Sequence, residues 1–184
     1  MADTGRFRAF YLSYLSSPAV DRPIYRVIQR QGVSQILELG VGAGRRARRM
    51  IELARHCCPS KKIQFVGLDL FEDRSSLDGP GVTLKMAHRL LKPTGARVQL
   101  IPGDPFSGLA NAANSLGQVD LIVISPRLDP RSLARAWFYI PRLLHPQTKV
   151  FEEQLLRGGQ RVLRPLDHRQ IASLAAASVR RRAA

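Results

Sequence analysis

Apolar positions along the chain switch between two periods, and the switching outlines an alternation of helices and strands. Phe7, Phe10, Tyr11 and Tyr14 recur at intervals of three and four, predicting a helix over 6–15 whose aromatic face packs on the core. A second helix is expected over 21–31, with Asp21 as its cap, Pro23 in its first turn and Gly32 as its stop; Ile24, Val27 and Ile28 face inward. A strand at 35–39 leads into a helix at 45–56 whose inward stripe is Ala47, Met50, Ile51 and Ala54. Arg45, Arg46, Arg48 and Arg49 fall outside that stripe and read as a solvated face, with Arg48 or Arg49 able to pair with Glu52. Further strands are expected at 62–70, 97–101, 119–125 and 149–154, and further helices at 82–91, 131–144 and from 167 onward. The run at 119–125 is almost continuously apolar, as a central strand buried on both faces must be. Between 71 and 81 the chain is polar and carries a Gly-Pro-Gly turn signal.

Alternating strands and helices require right-handed crossovers and a parallel sheet. The expected fold is therefore a single α/β domain, a three-layer sandwich with a mainly parallel sheet in the order 3-2-1-4-5. Within it, residues 1–32 form N-terminal helices, 33–154 the core, and 155–184 a short C-terminal segment with a basic tail. Residues 160–166 can add one strand at best, so strand five is an edge or has one extra neighbour. An edge of that kind invites pairing with a second copy, and a homodimer is expected.

The turn after the first strand carries the chemistry. Glu38 ends the strand, Gly40, Gly42 and Gly44 alternate through the turn, and the next helix begins at once. Alternating glycines permit positive φ and leave bare backbone against which a nucleoside-bearing ligand can lie. The dinucleotide fingerprint Gly-x-Gly-x-x-Gly is the rival, but Arg45 stands where its third glycine belongs. That substitution argues against a pyrophosphate site. The pattern Glu38-x-Gly40-x-Gly42-x-Gly44 resembles the first motif of class I S-adenosylmethionine-dependent methyltransferases, and the resemblance runs in order from about residue 33 to residue 154.

The resemblance implies S-adenosylmethionine as cofactor and a set of residues around it. Asp69, followed by Leu70 at the end of the second strand, would accept the ribose hydroxyls, and Arg45 would meet the methionine carboxylate. Asp104 is in register to meet the adenine amino group and Phe106 to flank the adenine ring, although Asp104 reads equally well as a helix cap. The segment Ser125-Pro126-Arg127-Leu128-Asp129 would line the place of methyl transfer. Relatives that methylate amino groups carry an Asn or Asp, two prolines and an aromatic there, a pattern this chain lacks. Asp129 and His145 are candidate bases, while Tyr139 and Arg127 are candidates for positioning an acceptor. The N-terminal helix is a candidate lid, and the strand six and seven region is shortened relative to the family.

Charge adds a second theme. Lysines and arginines number 29, 24 of them arginine, against 14 acids, for a net charge of +15. Such a surplus attracts anions, and RNA or DNA is an expected partner. The alternative function is a non-catalytic methyltransferase-like scaffold with a basic nucleic-acid-binding surface; a nicotinamide-dependent oxidoreductase is disfavoured by Arg45. Cys57 and Cys58 are adjacent, which strains any mutual disulfide, and no metal-ligand spacing joins the four histidines. No apolar run approaches the roughly 18 residues of a membrane span, so no membrane partner and a cytoplasmic location are expected.

Overall fold

The computed structural model describes residues 7–75 and 81–183. Six strands form one sheet: β1 Gln35–Leu39, β2 Gln64–Asp69, β3 Arg97–Pro102, β4 Leu121–Ile124, β5 Lys149–Leu155 and β6 Arg161–Leu166. Their order is β3-β2-β1-β4-β5-β6. The first five are parallel, with Leu37 of β1 opposite Val66 of β2 and Ile122 of β4. β6 returns antiparallel to β5 as the single added strand, pairing Glu153 with Leu163. Among the described residues no helix is long and apolar enough to cross a membrane.

Helices α1 Arg22–Gln31, α2 Arg45–Cys57 and α3 Leu84–Leu91 cover one face, with α4 Pro105–Leu116, α5 Pro130–Ala136 and α6 His168–Ala183 on the other. The two-residue period of each strand divides its side chains between these layers. Ile36, Phe65, Val123 and Phe151 pack under α1 and α2 around Ile24, Ile28, Met50 and Ile51. Leu37, Leu39, Val66, Leu68, Ile122 and Ile124 pack on the opposite side with Leu109, Trp137, Ile140 and Ile171. By the same alternation Glu38 and Glu153 must point toward the α1 and α2 layer. Both are fully buried there.

Their partner is Arg46, and this corrects the expectation that all four arginines of α2's first turn face water. Arg46 Nε donates to Glu38 at 2.7 Å, and its Nη1 donates to Glu153 at 2.7 Å. Asp21, just ahead of α1, lies 3.5 Å from the same guanidinium. Arg161 of β6 pairs with Glu153 from the far side. Helical periodicity, read from apolar residues, places Arg46 at the edge of the stripe; the acids across the sheet draw it inward. Arg48 and Glu52 pair at 2.8 Å as expected, whereas Arg49 donates to the Ser17 carbonyl at 2.7 Å.

Two further expectations change. The aromatic stripe does not pack on the core: Phe7 is 71% and Phe10 50% exposed, and the helical segment through Tyr11–Leu15 buries Ala9, Leu12 and Ser13 instead. Its small-residue face fits closely against α1, where the Ser13 hydroxyl donates to Gln29 at 3.0 Å. The helix expected over 131–144 is broken into α5 and a 3-10 turn at Ile140–Leu143. Pro141 lacks the amide that would continue the ladder. α4, for which no element was expected, fills the interval before β4, and Asp120 at the entrance of β4 accepts hydrogen bonds from the Ser34 and Gln35 amides at 2.7 and 2.9 Å. Cys57 and Cys58 are both free. Arg6, the turn at 79–80 and the side chains of Arg181 and Arg182 lie outside the described residues.

Removing one partner from a buried ion network leaves the others uncompensated, at a cost of about 3 to 5 kcal/mol. Arg46→Ala is expected to lose stability in that range in chemical denaturation. Exposed Arg48→Ala is expected to lose less than about 1 kcal/mol. Equal losses in the two variants would contradict the network's role.

Candidate functional site

The chain leaves β1 at Leu39 and turns into α2 through Gly40, Val41, Gly42, Ala43 and Gly44. All three glycines have positive φ, at 86°, 58° and 73°. Gly40 also lies against the chain beyond β4: a Cβ there would sit 2.5 Å from Ser125 Cβ and 3.2 Å from Leu128. Such a side chain could be admitted only by parting the two segments. The turn is stapled from beneath, because Arg46 after the loop bonds to Glu38 before it.

Between the loop and the segment after β4 opens a cavity of about 320 Å³, in the size range of small-molecule sites. It lies at the carboxyl ends of β1 and β4, the point where strand order reverses. Gly40, Gly42, Gly44, Arg45 and Ser125 line it, with Pro18 and Leu155 at its rim. A second cavity of about 50 Å³ continues over β2 and is lined by Leu68, Asp69, Leu70 and Asp104. Gly40, Arg74, Arg127 and Leu128 border both. A larger cavity, about 590 Å³, is lined by Arg55, Lys61, Lys62 and Arg97 near the amino ends of β2 and β3, and contains none of the glycine loop.

Asp69 is the hinge between loop and second cavity. Its Oδ2 accepts the Gly42 amide at 2.6 Å and its Oδ1 the Leu70 amide at 2.7 Å. The Arg74 guanidinium pairs with the same carboxylate. Arg74 reaches back because the chain reverses at Phe71, whose φ of 48° is a left-handed conformation that a bulky residue seldom adopts. Neither Arg74 nor this reversal was expected from sequence.

Asp104 serves as the cap of α4. It accepts from the Phe106 amide at 2.9 Å, the Ser107 amide at 3.3 Å and the Ser107 hydroxyl at 2.6 Å, and from the Ser132 hydroxyl. Burial pushes its carboxyl up, but the bonds from Ser107, Ser132 and Phe106 outweigh it and hold it at about 2. Of the two readings of Asp104, the helix cap is the one seen. Phe106 packs its ring under Arg135, 3.7 Å from the ring centre, and against Tyr139. Neither aromatic lines the two crevice cavities. Asp129 caps α5 by accepting the Ser132 amide at 2.7 Å, and its exposed carboxylate borders the smaller cavity. His145 is removed from the site: its Nε2 lies 3.0 Å from Asp120, at the opposite end of β4 from Ser125.

Comparison with solved structures identifies the architecture. The O-methyltransferase from Bacillus cereus in complex with SAH is 15% identical, with a TM-score of 0.58 over 100% of this chain and 79% of that one. TomG, the O-methyltransferase from Streptomyces achromogenes involved in tomaymycin synthesis, solved with SAM, is 14% identical, with a TM-score of 0.55 over 86% of this chain and 66% of its own. The TehB-like SAM-dependent methyltransferase from Corynebacterium glutamicum is 19% identical, with a TM-score of 0.51 over 96% and 80%. No protein-family model and no curated protein matches the sequence. The chain has the class I S-adenosylmethionine-dependent methyltransferase fold, with its sheet ending at one antiparallel strand.

The carboxylates beneath the loop set a pH dependence. Burial pushes Glu38 from its ordinary 4.5 up to about 7, against the lowering pull of Arg46, and burial likewise raises Asp21. The folded protein therefore binds protons more tightly than the unfolded chain between these values, so this group adds stability as pH falls from about 7 toward 4.5. Asp104 has the opposite sign, and its contribution disappears below its ordinary 3.8 toward about 2. Melting temperature is expected to rise on acidification from neutral pH to about 5, and the slope is expected to flatten in Glu38→Gln. An unchanged slope in that variant would place the titration elsewhere.

Proposed function

We propose that the protein is an S-adenosylmethionine-dependent methyltransferase, acting as one domain in the cytoplasm. The observation that carries this reading is the cavity of about 320 Å³ between a loop of three positive-φ glycines and Ser125, with Asp69 beside it at the sheet's switch point. The residues fit the cofactor in shape and chemistry. The bare loop offers backbone to the methionine portion, Arg45 offers a guanidinium to its carboxylate, and Asp69 offers a carboxylate to the ribose hydroxyls. The neighbours solved with SAM or SAH support the same cofactor.

When bound, the cofactor would supply an electrophilic methyl group on a sulfonium sulfur, which leaves with its electron pair once an acceptor takes the methyl. The protein's own part is to align donor and acceptor and to exclude water. Gly40 lets the loop approach Ser125, and Leu128 borders both cavities. Asp129, exposed at the border of the smaller cavity, is the carboxylate placed to take a proton from the acceptor. Arg74 pairs with the Asp69 carboxylate that would receive the ribose, so the two compete for it.

Calorimetry with S-adenosylmethionine tests this. Asp69→Ala is expected to weaken binding by about 1.5 to 3 kcal/mol through loss of a charged acceptor, and Gly42→Val to abolish it. Arg74→Ala is expected to bind at least as tightly as the parent protein. Unchanged affinity in both Asp69→Ala and Gly42→Val would overturn the reading.

A further inference from the structure

The charge around the larger crevice cavity is distributed unevenly. Among the described residues five arginines line it, Arg45, Arg46, Arg74, Arg127 and Arg161, and Asp21 is the one acid on its walls. Three of the five are already paired with buried carboxylates. Arg46 is held by Glu38 and Glu153, Arg161 by Glu153, and Arg74 by Asp69. Arg45 and Arg127 take no carboxylate among the described residues, and both are exposed at the cavity.

The two are not equivalent. Arg45 follows Gly44 directly and flanks the loop where the methionine portion would lie. Arg127 stands in the turn after β4, borders both cavities, and follows Pro126, so its backbone is held at the point where acceptor and methyl group would meet. Its sequence neighbours Pro126 and Leu128 line the same cavity, as do Pro18 and Leu155, and Leu155 is 52% exposed. A planar guanidinium beside apolar side chains suits a ligand with an oxyanion at one end and an apolar body behind it, since the fork of donors matches a carboxylate or phosphate.

We propose that the acceptor is a small organic anion, an apolar body bearing a carboxylate or phosphate, and that Arg127 is the residue that binds its oxyanion. This rests on the methyltransferase reading and names its substrate class. A small acceptor is favoured over a nucleic-acid strand because the guanidinium lies on the wall of a cavity of about 320 Å³ that Pro126 and Leu128 also line. The arrangement also balances charge: with the cofactor's carboxylate on Arg45, the sulfonium and Arg127 would remain as positive charges in the cleft, and an anionic acceptor offsets them.

Titration calorimetry on the full chain, with and without saturating S-adenosylhomocysteine, tests the assignment using benzoate, phenyl phosphate, neutral benzamide and a short single-stranded RNA as probes. Benzoate or phenyl phosphate is expected to bind at least tenfold more tightly than benzamide, and whichever of the two is tighter identifies the oxyanion. Arg127→Gln is expected to weaken that binding about tenfold, with Arg127→Lys intermediate because it keeps the charge and loses the fork. Equal affinities for benzoate, phenyl phosphate and benzamide would overturn the proposal, as would binding that Arg127→Gln leaves unchanged. Arg127-dependent binding of the RNA alone would overturn it in favour of a polymer. Failure of S-adenosylhomocysteine to bind would refute the methyltransferase reading, while Arg127-dependent benzoate binding in the same protein would still establish the anion site.

Discussion

The buried guanidinium of Arg46 is the contact on which the rest of the molecule depends. It joins α2 to Glu38 in β1, to Glu153 in β5 and to Asp21 ahead of α1, and Arg161 extends the network into β6. Three carboxylates face two guanidiniums, so the cluster carries one negative charge too many for a buried site. Burial, with a smaller contribution from the neighbouring carboxylates, raises the proton affinity of Glu38 and Asp21. Networks of this kind contribute little net stability compared with apolar packing, but they penalise wrong arrangements heavily. Here the arrangement being fixed is the glycine loop. One ion pair bridges eight residues, from just before Gly40 to just after Gly44, so the conformation of the loop is set by a bond that lies underneath it.

That network explains why the site was only partly legible in the sequence. The glycines, Asp69, Leu70 and Ser125 are local signals tied to strand ends, and the structure gathers them around one crevice. Periodicity also located the strands: β1 matches its expected span, β5 runs one residue longer, and β6 is the single extra neighbour. Local patterns say nothing of partners across the sheet. Arg46 and Glu153 are separated by 107 positions, and each breaks an apolar pattern alone. Read together, a charge that spoils a buried strand and an arginine beside an inward helical stripe form a pair, and that joint signal was available.

Other differences have the same origin. An aromatic stripe defines one face of a helix without saying which face meets the protein, and the small residues Ala9 and Ser13 took the buried side. Asp104 was in register for two roles; it caps α4 and also lines the second cavity, and Ser132, which lies 28 positions away, donates to the same carboxylate. Tyr139 belonged to a helix that Pro141 interrupts, and it packs on Phe106 beside the crevice without lining it. In each case the deciding group is distant in sequence or is a backbone constraint, and neither enters a count of apolar positions.

The shortened sheet and the closed crevice are linked through Arg161. As part of the edge strand β6 it places a charge where a second sheet could add, with Arg164 and Pro165 further along the same strand, features that blunt an edge against pairing. Its guanidinium, however, turns inward to Glu153 and lines the crevice. A single antiparallel strand is therefore enough both to cap the sheet and to complete the charge network behind the glycine loop. The side chains of Arg74, Arg127 and Leu128 border both cavities, while Asp69 is held to the loop by the Gly42 amide. The Arg74–Asp69 ion pair ties that boundary to the glycine loop through the Gly42 amide.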